Sequence, residues 1–105
     1  MTKLEDRATA FEAKFRQDQE REFWVAARRN RLVGAWAAAK LGLPAGEATE
    51  AFAKTLVAAD FEEPGDEDVK RKLRAEFASR NMALAEDELA ERWKLATREA
   101  REQLG

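Results

Sequence analysis

AFEAKFRQDQEREFWVAARRNRLVGAW, residues 10–36, keeps one helical register while its surface changes character. Phe11 and Phe15 stand one turn apart, and seven residues without a core-forming side chain follow them. From Phe23 onward apolar side chains return. Extended towards the N-terminus, the first stripe reads Leu4, Ala8, Phe11 and Phe15, the i, i+4, i+7, i+11 spacing of one helix face. Towards the C-terminus, Ala26, Val33 and Trp36 continue almost the same stripe, while Asp18 and Glu22 occupy the face between. A helix with no buried face depends on its intrinsic propensity, which is marginal in water. The pattern therefore predicts a mobile arm followed by an ordered half that starts near Phe23.

Beyond residue 41 the chain is punctuated three times: GLPAG at 42–46, EEPGD at 62–66, and a softer break, SRNMALAED, at 79–87. No stretch alternates with period two, and Ala, Leu, Glu, Lys and Arg dominate, so the segments between the breaks read as helices. The second spans about 45–61, with Ala48, Phe52, Leu56, Ala59 and Phe61 at helical spacing. The third begins after Pro64-Gly65 with Asp66 as its expected N-cap, and Val69, Leu73, Phe77 and Ala78 form its inner face. The fourth, about 86–104, offers Leu89, Trp93, Ala96, Ala100 and Leu104 as a stripe, but Ala85 cannot cap it with a side chain. The expected fold is all-α, a small antiparallel four-helix bundle with a mobile N-terminal helical arm. Its division is an arm at 1–22 and a bundle at 23–105, with Val33, Trp36, Phe52, Leu56, Leu73, Phe77, Leu89 and Trp93 as core.

The 105 residues suffice for one core. With no Cys and no His, disulfides, Cys/His zinc sites, Cys nucleophiles and His bases are all excluded; with one serine and no tyrosine, most other enzyme chemistry goes too. The expectation is a protein that is not an enzyme, with no metal. Lys and Arg number 19 against 21 Asp and Glu, a balance that speaks against nucleic acid as a partner. No strictly apolar run is longer than that at 35–39, which is far too short for membrane insertion, and the stretch after Met1 has acids and no apolar signal core, so a cytoplasmic address is expected.

Several features have two readings. Trp36 and Trp93 suit the core, whereas Trp24 lies off the stripe. Arg28, Arg29 and Arg31 suit a phosphate or partner contact, or equally a solvated basic face beside the acidic second segment. Gly34 suits close helix packing or a flexible point. The acids of EEPGDED lack the ligand spacing of a calcium loop and are explained by a helix N-terminus. Phe11 and Phe15 suit either a core extension or the anchors of a segment that folds into a partner's groove.

Three stretches together, DRATAFEAKF at 6–15, AARRNRLVGAW at 26–36 and ADFEEPGDEDV at 59–69, resemble the zeta subunit family of alphaproteobacterial F-type ATP synthases, over essentially the whole chain. The resemblance implies a four-helix protein, monomeric when free, whose N-terminal arm inhibits ATP hydrolysis by the catalytic head. It implies that the arm folds as a helix into an alpha/beta catalytic interface close to gamma and acts as a pawl, blocking hydrolytic rotation and yielding to synthesis. On this chain the matching residues are Leu4, Arg7, Ala8, Phe11, Glu12, Lys14, Phe15 and Arg16. Phe11 and Phe15 would be the apolar anchors, and Arg7, Glu12 and Arg16 would set register. The resemblance also implies weak binding of ATP or ADP, for which the sequence offers no loop; a nucleotide-binding regulatory module with little inhibition is the alternative. No other cofactor is expected. When bound, the protein would sit at the cytoplasmic face of the inner membrane.

Overall fold

The computed structural model describes the backbone of residues 3–59 and 66–105, and the side chains of 10–59 and 66–105. Four helices account for nearly all of it: α1 (Lys3–Lys40), α2 (Glu47–Ala59), α3 (Glu67–Ser79) and α4 (Glu86–Leu104). Among the described residues there is no strand. Phe61, Pro64 and Gly65, which the sequence places at the end of the second segment and the following turn, lie outside the described residues.

Local chemistry sets the ends. α1 stops where Gly42 takes φ 78°: its N–H donates to the Ala39 carbonyl at 3.1 Å and that of Leu43 to Ala38 at 2.9 Å, the paired bonds of a Schellman motif. α3 ends the same way around Asn81, at φ 54°, with Asn81 N–H on Ala78 and Met82 N–H on Phe77. Asparagine substitutes for glycine here because it tolerates the left-handed region better than most residues. α4 starts from an extended Ala85 with no side-chain cap, and the acids Glu86, Asp87 and Glu88 offset its dipole instead.

α1 is the central element. α2 and α4 both pack along its C-terminal half, and α3 rests on α2. Lys40 pairs with Glu88 at one end of the α1–α4 contact and Glu22 pairs with Arg101 at the other, so the two helices run antiparallel. The core joins Val33, Ala37 and Ala38 of α1 to Phe52 and Leu56 of α2, Val69, Leu73 and Phe77 of α3, and Leu89, Trp93 and Ala96 of α4. At the α1–α2 crossing, a Cβ added to Gly34 would stand 2.9 Å from the Ala53 Cα and 3.1 Å from the Leu56 Cδ1. Gly34 is thus a packing residue, where two backbones approach too closely for a methyl group.

Several side chains depart from the sequence reading. Asp66 occupies the N-cap position of α3 as expected, but its side chain makes no cap hydrogen bond: the carboxylate is drawn instead to Arg29, at 3.0 Å. Trp36 is only half-buried at the rim, beneath Lys40 and Arg92 at 5.3 and 5.6 Å from its ring centroid. Val25 is buried and Ala26 only partly, because a helix flanked by two partners hides a face broader than one stripe. Ala78 and Leu104 are exposed.

Candidate functional site

Every described side chain from residue 10 to residue 24 is exposed, although α1 is helical throughout. Phe11 is 72% accessible and Phe15 56%. Burial begins at Val25, close to where α4 ends its run alongside α1. Leu4, Arg7 and Ala8 lie on helical backbone, with side chains outside the described residues. Glu12, Lys14 and Arg16 are exposed and form no ion pair among the described residues. Ala, Glu, Arg and Gln, all good intrinsic helix formers, make up more than half of residues 10–24, which is consistent with helix here despite the lack of a buried face. A lone rod of this kind presents its apolar side chains to whatever approaches it.

The junction with the bundle is built from both helices. In the last turn of α4, Arg101 donates from Nη1 to Glu22 Oε1 at 2.6 Å and from Nη2 to Oε2 at 3.1 Å, a forked pair between exposed groups. Hydrogen bonding to Arg101 holds the Glu22 carboxyl below its ordinary value, and the same bond raises Arg101. Just beyond, Phe15, Asp18, Gln19, Glu22 and Phe23 line a shallow apolar depression. Phe23 meets Trp24 edge-on, with ring centroids 5.2 Å apart, and Trp24 remains 58% accessible.

The three arginines of AARRNRL do not converge. Arg28 is exposed, Arg31 pairs with Glu50 at 2.9 Å, and Arg29 is buried. The Arg29 guanidinium donates to Asn30 Oδ1 at 3.1 and 3.2 Å, pairs with Asp66 and lies 4.3 Å from the centroid of the Trp93 ring. Lys70 stands 4.9 Å from the same centroid. Arg29 therefore ties α1 to α3 and α4, and its fork is not presented to a ligand. Sequence reasoning missed this burial because charge gave no reason to place an arginine inside; the signal was Trp93, an aromatic face for a cation. Among the described residues, no helix is long and apolar enough to cross a membrane, and no group of three or more acidic residues could hold a metal ion.

Residues 1–103 match the family model described as ATPase inhibitor subunit zeta. No curated protein matches the chain.

Proposed function

The chain belongs to the ATPase inhibitor subunit zeta family, and from that premise we propose that it inhibits ATP hydrolysis by an F-type ATP synthase through the N-terminal half of α1. The arm enters an alpha/beta catalytic interface near gamma as a helix. Phe11 and Phe15 anchor it, Arg7, Glu12 and Arg16 fix its register, and Leu4, Ala8 and Lys14 complete the contact. Tightening of the interface in the hydrolytic direction traps the helix; the reverse rotation releases it. The bundle keeps the arm near its site at high effective concentration. The protein itself carries out no reaction in this scheme, and it acts at the cytoplasmic face of the membrane that holds the synthase.

The observation that carries this reading is the pair of phenylalanines left bare on a helix that is otherwise able to bury apolar residues. Burying a phenylalanine stabilises a complex by about 1.5–3 kcal/mol, so the two supply enough to offset part of the cost of fixing the arm. The experiment adds the full chain, or the Phe11→Ala/Phe15→Ala variant, to a purified catalytic head stripped of this subunit and follows ATP hydrolysis. The half-inhibitory concentration should rise at least a hundredfold, on the order of what about 3 kcal/mol implies. Equal inhibition by both proteins would sink the proposal.

A further inference from the structure

Phe11, Phe15, Asp18 and Glu22 follow one another along a single face of α1, at steps of three and four residues. Glu22 identifies that face, because Arg101 of α4 reaches it. It is the α4 side of α1, which continues bare once α4 has ended at Leu104. Asp18 stands on it one turn beyond Glu22, in the same depression as Phe15 and Phe23, and has no ion-pair or hydrogen-bond partner among the described residues. An isolated carboxylate beside an apolar anchor constrains what can cover it. A purely apolar partner would strip water from Asp18 and return nothing, whereas a cation delivered with the apolar contact offsets that loss. α4 supplies the pattern within this molecule: an antiparallel helix with apolar residues against α1 and an arginine forked onto its acid.

Resting on the arm reading above, we propose that the Phe11, Phe15 and Asp18 face is covered by a helix of the catalytic head that sets a lysine or arginine against Asp18, as Arg101 is set against Glu22. This gives the partner a chemistry, amphipathic and basic on its contact side, and assigns Asp18 a role in selecting it. Glu20 lies on the opposite side of α1 and serves as a matched control.

The test measures binding of the full chain to the purified catalytic head at two salt concentrations, together with inhibition of hydrolysis. Asp18→Asn should weaken binding about fivefold, the size of an exposed ion pair, and flatten the salt dependence. Asp18→Lys should weaken it on the order of a hundredfold through like-charge contact, while Glu20→Lys, with the same net charge change, stays within about twofold of the parent. A photo-crosslinker at position 18 should attach to a helical segment beside a lysine or arginine. If Asp18→Lys and Glu20→Lys behave alike while Phe11→Ala/Phe15→Ala abolishes inhibition, the arm reading stands and the basic-helix inference is overturned. If the phenylalanine variant also inhibits normally, the arm reading itself has failed.

Discussion

Replacing Gly34 by alanine sets two effects of opposite sign against each other. In an isolated helix the change is favourable by about 1 kcal/mol, because glycine has the greater backbone freedom to lose. In this bundle the new Cβ would stand 2.9 Å from the Ala53 Cα, with the Ala53 Cβ and the Leu56 Cδ1 both at 3.1 Å. The first of these contacts is with backbone, so no rotamer change relieves it; α1 and α2 must separate by several tenths of an ångström or more. That separation loosens contacts between tightly packed residues along the whole crossing. Overpacking of this kind costs about 1–3 kcal/mol, and a clash with backbone belongs at the upper end. The net loss is about 2 kcal/mol, or roughly 10 °C in Tm for a domain of this size. Thermal unfolding of the full chain followed by circular dichroism measures it, with Gly34→Val expected to be worse. A Gly34→Ala protein that melts at or above the parent temperature would show that helix propensity governs this position and that the close approach is not a constraint.

Arg29→Ala should cost about 3 kcal/mol in urea unfolding, since it leaves Asn30 Oδ1 without its donor and Asp66 without its partner and removes one of the two cations on the Trp93 ring, and Arg29→Met, which keeps the bulk, should cost less. Asp66→Asn should cost less still, because the carboxylate is half-exposed. The Glu22 carboxyl should titrate below its ordinary 4.5 by NMR, and Arg101→Ala, which removes the largest cause, should raise it. Because this folded-state pKa is lowered, the stabilisation is fully present above pH 4.5 and is lost as pH falls through the folded value, so stability near neutrality should not depend on pH through this pair. Asn81→Gly should raise Tm slightly and Asn81→Ala lower stability by about 1 kcal/mol, as a left-handed position requires.

The helices were legible because their punctuation is chemical. Gly42, Pro44, Gly46 and Asn81 mark ends that any chain of L-residues must respect, and no competing period two was present. The buried positions of α3, Val69, Leu73 and Phe77, fall on a single stripe, as do Phe52, Leu56 and Ala59 of α2, whereas Ala53, buried where α2 crosses Gly34, lies beside that stripe. α1 was harder to read. It has two partners, so its hidden face widens to take in Val25, Arg29 and Asn30, and a rule built for one stripe selected Ala26 and Trp36 instead. Asp66 stands at the N-cap as read, but its side chain goes elsewhere for a related reason: a cap rule weighs only neighbours in sequence, and the competing arginine lies 37 positions earlier. At the arm, the interruption between Phe15 and Phe23 is visible in the sequence itself. What the sequence could not supply is which side of the bundle that face continues, since this depends on where α4 ends in space.

Because α1 passes from arm to bundle without a break, the two share one screw axis. Each residue advances the tip by about 1.5 Å and turns it by about 100°. A single residue inserted near Gln19 would therefore carry Phe11 and Phe15 about a quarter turn out of phase with the bundle, while lengthening the reach hardly at all. Seven inserted residues would extend the tip by about 10 Å and bring the same face back nearly into phase. Reach and orientation are coupled in one element, so related chains that differ in arm length should differ by phase-restoring steps, near seven or eleven residues, where both the bundle and the anchors keep their places.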